Sequence, residues 1–153
     1  MPKSRLSLIA AGLGLLSLAA CHEQSTQATQ EPTAAAATGP QCYAHLTATD
    51  TIRLTLQTTQ PTVTGQLTYH YFEKDRNQGT ISGTMHGDTL LADYTFQSEG
   101  TTSVRQVAFL RRDIGFIEGF GPVAERKAKL VFEKPSALQY DAKYTLLPVA
   151  CPK

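Results

Sequence analysis

Tryptophan is absent, and six Tyr and six Phe supply all the aromatic mass, enough for one small core. A marked excess of positive or negative charge is lacking too. Fourteen Lys and Arg stand against thirteen Asp and Glu, so no broad field exists to hold a polyanion, and nucleic acid is not an expected partner. Charged residues are only 18% of the chain, too few for a chain kept unfolded by its own charge. The mean hydropathy is slightly negative, and no apolar run repeats along the chain, which excludes a multi-span membrane protein. Catalytic signatures are missing as well. There is no phosphate loop, no HExxH, no paired-carboxylate motif and no Gly-x-Ser-x-Gly elbow around Ser98 or Ser103. A non-enzymatic protein without a cofactor is expected, with hydrolase the least supported class. At 153 residues the chain holds one ordinary domain.

The first twenty residues have the layout of a secretory leader. Lys3 and Arg5 form a positive start, Leu6 to Leu18 is apolar apart from small residues, and Ala19-Ala20 lead to Cys21. A run this short, followed at once by polar residues, suits a signal peptide better than a spanning helix. The tetrapeptide Leu18-Ala19-Ala20-Cys21 resembles the lipobox of bacterial lipoproteins. That resemblance implies cleavage before Cys21, lipidation of Cys21 with diacylglycerol and palmitate-type acyl chains, and a membrane partner through the lipid. His22 rather than Asp after the cysteine implies the outer membrane of a two-membrane envelope. Two acyl chains at about 0.8 kcal/mol per buried methylene hold a protein stably to a bilayer. Loss of the leader removes Lys3 and Arg5 and takes the formal charge from +1 to −1.

Residues 21–41 then form the lipidated cysteine and a tether. His22 to Pro40 has no large apolar residue, so it cannot bury enough surface to offset its ordering entropy. The folded domain is expected over 42–153. Its two cysteines, Cys42 and Cys151, stand at its two ends in an exported, oxidising setting, and a disulfide is their expected state. Such a bond stabilises by on the order of 4–5 kcal/mol in the chain-entropy model. It also makes the first and last strands neighbours.

From Cys42 onward apolar residues recur with period two between turn signals, the pattern of an antiparallel β-meander. Twenty threonines, most of them in this region, fit pleated half-buried surfaces. Strands are expected at 43–48, 51–58, 62–72, 80–86, 89–97, 102–110, 114–120, 129–133 and 143–149. One short helix is expected over Pro122 to Lys129, with Pro122 in its first turn. His86-Gly87-Asp88-Thr89 suits a two-residue type II′ turn. It pairs Met85 with Leu90, Gly83 with Ala92 and Ile81 with Tyr94, placing these residues and Phe96 inward while Ser82, Thr84, Asp93 and Thr95 face water. Asn77-Gln78-Gly79 and Ser98-Glu99-Gly100 suit three-residue loops with a left-handed glycine. Glycines 65, 83, 115, 119 and 121 inside or beside strands mark the bends that coil a small sheet.

Eight or so short strands, glycine bends and tied ends indicate an all-β fold, a single small antiparallel meander barrel. In architecture alone it resembles the calycin and lipocalin-like barrels, whose opening Gly-x-Trp signature is absent here.

Few residues carry chemistry. His70 and His86 face each other in this register and are a weak metal pair, because Thr68, Thr84 and Phe72 flank them rather than carboxylates. Glu118, between Phe116 and Phe120, is an interior polar group with a raised pKa if that face turns inward, where Gln106 or Arg105 of the neighbouring strand would satisfy it. If Ile117 faces inward instead, Glu118 is exposed, and the exposed placement is favoured. Arg105, Arg111 and Arg112 beside Asp113 read as a surface hairpin. Because an eight-stranded barrel can be filled by its own side chains, the expected role is interaction with an envelope protein or another envelope role. The alternative is a binder of a small apolar or amphipathic ligand, and a cavity with one buried polar group would favour it.

Overall fold

A computed structural model describes residues 39–74, 76–98 and 100–152. The leader, Cys21 and the tether as far as residue 38 lie outside the described residues. The elements are β1 (Gln41–Leu46), β2 (Thr51–Thr58), β3 (Val63–His70), β4 (Asn77–His86), β5 (Thr89–Ser98), β6 (Thr101–Arg112), β7 (Gly115–Phe120), β8 (Val123–Arg126), β9 (Lys129–Phe132), a 3₁₀ turn (Pro135–Ala137) and β10 (Gln139–Val149). Strands β1 to β7 follow one another antiparallel, and β10 enters between β7 and β1. Eight strands thus close an antiparallel barrel. The β8–β9 hairpin stands outside this ring and joins it through a short parallel pairing of β9 with β6, at Arg105 and Leu130.

Alternation decides which residues fill the barrel. Ile52, Leu54 and Leu56 of β2, with Val63, Leu67 and Tyr69 of β3, point inward and are buried, and their neighbours point out. The β4–β5 hairpin has the expected register, with Met85 opposite Leu90, Gly83 opposite Ala92 and Ile81 opposite Tyr94. Gly87 takes φ +61° at the first turn position, as a type II′ turn requires. Ser82, Thr84 and Thr95 are exposed, while Asp93 is half-buried beneath an ion pair with Lys129. Two inward glycines let the strands bend: a Cβ at Gly65 would run into the Thr55 carbonyl oxygen, and one at Gly83 into that of Leu91. Cys42 and Cys151 are bonded, with their Cα atoms 5.2 Å apart, and β1 lies beside β10.

Several local expectations are corrected. Residues 122–129 are not helical. They form β8 and the turn into β9, with Lys127 and Ala128 at φ +52° and +57°, the two left-handed positions of a type I′ turn. Eight residues cannot recover the cost of helix nucleation alone. The free edge of β6 offers this segment a ladder instead, and the Phe132 amide donates to Gln106 Oε1 at 3.1 Å. Gly79 lies within β4 opposite Leu67 and Phe96 rather than in a turn, and the left-handed residue of the preceding loop is Glu73, at φ +54°. The β5–β6 connection is one residue shorter than expected, since Ser98 pairs with Thr101, although Gly100 does take a positive φ of 76°. The β3–β4 register also separates His70 from His86. His70 sits where β3 ends, opposite Thr51, and His86 at the far end of β4, about ten residues or roughly 30 Å along the strands.

Candidate functional site

The inward row of β7 begins with Phe116 and continues to Glu118 and Phe120. Both faces of β7 are covered, so the choice between an inward Ile117 and an inward Glu118 does not arise: Ile117 is 8% exposed on one face and Glu118 4% on the other. Gly119 is part of the reason. Its missing side chain leaves room for the Tyr140 ring of β10, which a Cβ would meet at 2.5 Å. Glu118 is therefore interior, against the favoured expectation. Among the described residues it is the one buried charged side chain.

Three strands bring partners to it. Tyr69 of β3 reaches across the barrel and its hydroxyl donates to Glu118 Oε1 at 2.5 Å. Tyr94 of β5 is fully buried, packed edge-on to Tyr69 with ring centroids 5.8 Å apart. Arg105 of β6, directly opposite Tyr94, turns inward and lays its guanidinium 4.9 Å from the Tyr69 ring centre, 5.5 Å from Tyr94 and 5.7 Å from Phe96. A cation over aromatic faces is attracted by their quadrupoles, so the box holds Arg105 without a carboxylate touching it. Arg105 is thus parted from Arg111, which pairs with Asp88 on the surface at 3.0 Å. Gln106 accepts from the Phe132 amide and so holds β9 instead of Glu118, although it too lines the cleft that opens beside Glu118.

Burial sets the electrostatics. Loss of water pushes the Glu118 carboxyl up to about 7, against the opposing pull of the Tyr69 hydrogen bond and the Arg105 charge. Burial likewise pushes the Tyr94 hydroxyl up to about 12 and holds that of Tyr69 well above its ordinary value. Three buried polar atoms in this cluster have no hydrogen-bond partner among the described residues: Glu118 Oε2, Arg105 Nε and Tyr94 Oη. Unmet buried polar atoms are costly and uncommon, and three in one cluster mark the place where the core departs from its own rules.

The cluster has a way out. The β6–β7 ladder ends at the pair Ala108 and Gly119; beyond it β6 turns to β9 and the barrel wall parts. A cleft of about 180 Å³ opens there, with Arg105 and Glu118 at its floor and Val107, Phe120, Val123 and Leu130 among its sides. Phe120, Val123 and Leu130 are 46%, 47% and 44% exposed, an apolar rim around a polar floor. Sequence reasoning singled out Glu118 and Arg105 but missed Tyr69 and Tyr94. Their inward alternation was readable, but their convergence on Glu118 depends on which strands face each other across the barrel. Comparison with protein-family models, curated proteins and solved structures finds no match to this chain.

Proposed function

We propose that this protein is a lipid-anchored protein of the bacterial outer membrane whose barrel binds a small amphipathic ligand at the cleft between β6 and β7. The observation that carries the binding role is the buried Glu118–Arg105 floor under an apolar rim. Pockets for small molecules are mostly apolar with a few placed polar groups, and this cleft has that make-up. The barrel centre is filled by residues such as Leu54, Leu67 and Leu90, so the ligand sits where the wall parts rather than through the barrel. The reading assigns binding rather than catalysis. The anchor rests on the lipobox at Cys21 and on the leader before it.

Adding hexanol while following backbone amide shifts tests the binding role. Shifts concentrated at Val107, Phe120, Val123 and Leu130 are expected. Shifts concentrated instead on the outer face of β3 and β4, at Thr64, Thr80 and Ser82, would refute it. Cells fed a fatty-acid probe test the anchor: label should enter the protein and be lost in Cys21→Ser. Continued incorporation in the variant overturns the lipoprotein reading. A second reading, docking of an envelope protein, draws on the exposed Phe120, Val123 and Leu130 rim. It expects Leu130→Asp to abolish co-purification of a partner, with hexanol leaving the rim shifts unchanged.

A further inference from the structure

Resting on the binding role proposed above, we infer that the ligand is a small monocarboxylate with an apolar tail, which enters the β6–β7 cleft together with a proton. The floor carries two groups that line the same cleft without forming an ion pair, Arg105 and Glu118. Arg105 has no carboxylate within ion-pair distance and no side-chain hydrogen bond among the described residues, and its Nε–H is buried. A guanidinium is always charged and offers only donors, so it calls for an anionic acceptor. Glu118 Oε1 already accepts from Tyr69, while Oε2 is buried and has no hydrogen-bond partner among the described residues.

The state of Glu118 then selects the ligand's charge. Ionised, it would repel a carboxylate; protonated, its Oε2–H donates to one. Burial favours the protonated form, and the titratable or charged groups that bear on Glu118 are Tyr69 of β3, Tyr71 just beyond its end, Tyr94 of β5 and Arg105 of β6. Of these only Arg105 carries charge at neutral pH. With Glu118 protonated the floor holds one net positive charge, and an incoming carboxylate cancels it. One ligand oxygen accepts from Arg105 and the other shares the proton of Glu118. A cationic ligand is excluded by Arg105. A neutral alcohol would leave the guanidinium without a counter-charge.

Size limits the tail. At roughly 30 Å³ for each water-sized group, the cleft of about 180 Å³ takes about six non-hydrogen atoms, a carboxylate and a short stub of chain. Any further carbons would leave over Phe120, Val123 and Leu130.

Calorimetric titration of the purified full-length protein with sodium hexanoate tests this. At pH 8, runs in Tris and in HEPES, whose ionisation enthalpies differ, count the protons taken up. Close to one proton per hexanoate is expected, with Kd rising about tenfold per pH unit above 7. Glu118→Gln, whose amide donates without titrating, should still bind but with no proton uptake and no pH slope. Arg105→Gln should lose at least tenfold in affinity, and if it does not fold, the proton count on the unaltered protein decides alone. Hexanoate binding without proton uptake, or hexanol or hexanamide binding as tightly as hexanoate, would overturn the carboxylate inference and leave the amphipathic site standing. Failure of all three compounds to bind at millimolar concentration would overturn both.

Discussion

Stability of the unliganded protein should fall as pH rises from 4.5 to 7, and Glu118 should be the cause. In the unfolded chain its carboxyl titrates near 4.5; in the barrel burial moves it to about 7. The folded state therefore binds the proton more tightly. Below 4.5 both states are protonated and the contribution of Glu118 is fully present. Between the two values the unfolded chain ionises while the barrel holds its proton, and stability is lost at up to about 1.4 kcal/mol per pH unit. Above 7 both states are ionised and the loss is complete, at about 3 kcal/mol for a side chain this deeply buried. That is a large share of the 5–15 kcal/mol typical of a domain. Urea unfolding at half-unit steps from pH 4 to 8.5 measures it, with Glu118→Gln as the comparison. Gln keeps the oxygen that accepts from Tyr69 and removes the titration. Its profile should lose this slope, and at pH 8.5 it should exceed the unaltered protein by about 2 kcal/mol, the difference less roughly 1 for an unpaired amide. Parallel profiles for the two proteins would refute the buried titration.

Other expectations concern the frame around the site. Tyr94→Ala should cost about 3 kcal/mol or more, because the ring is wholly buried, and Thr95→Ala well under 1, so their urea midpoints should separate clearly. Non-reducing peptide mapping should recover Cys42 joined to Cys151, and Cys151→Ser should lower stability by about 5 kcal/mol for a loop of 109 residues, with two free thiols in native protein the contrary result. Replacing Lys127-Ala128 by Asn-Gly should raise stability by about 1 kcal/mol, read as a higher urea midpoint, because both positions have positive φ. The same change in a helix would lower stability by about 1 kcal/mol, so the sign of the shift alone distinguishes hairpin from helix.

What was legible in the chain follows the range of each interaction. The β4–β5 register could be read because it is fixed locally, by Gly87 at a turn and by alternation on both sides of it. The disulfide and the neighbouring of β1 and β10 could be read because Cys42 and Cys151 stand at the two ends of the strand region. The β8–β9 hairpin could not. Ala124 to Lys129 are good helix formers, and what overrides them is the edge of β6, far away in sequence. Glu118 fails for a related reason. Alternation says that one face of β7 is inside, yet the second face is buried too, with Ile117 8% exposed and Gly119 packed beneath the Tyr140 ring. Tyr69, the residue that holds Glu118, comes from across the barrel, and no local pattern pairs β3 with β7.

In the β4–β5 hairpin each level agrees with the next: alternation, turn chemistry and burial all select the same register. The cluster of Glu118, Arg105 and Tyr94 departs from that agreement, with three unmet polar atoms in an otherwise apolar interior. Apolar residues of similar size would fill the same space, and exchanging buried ionic groups for them is often neutral or stabilising. Packing therefore gives no reason for a carboxyl at 118 or a guanidinium at 105. Their cost is repaid only if something else completes them. The place of the departure matters as much as its chemistry, because it coincides with the one stretch where β6 leaves β7 for β9 and the wall opens beside it. A polar defect sealed in the barrel centre would only weaken it. At an opening with an apolar rim, the same defect becomes a binding floor, and the stability it gives up is recovered when a ligand supplies the missing partners.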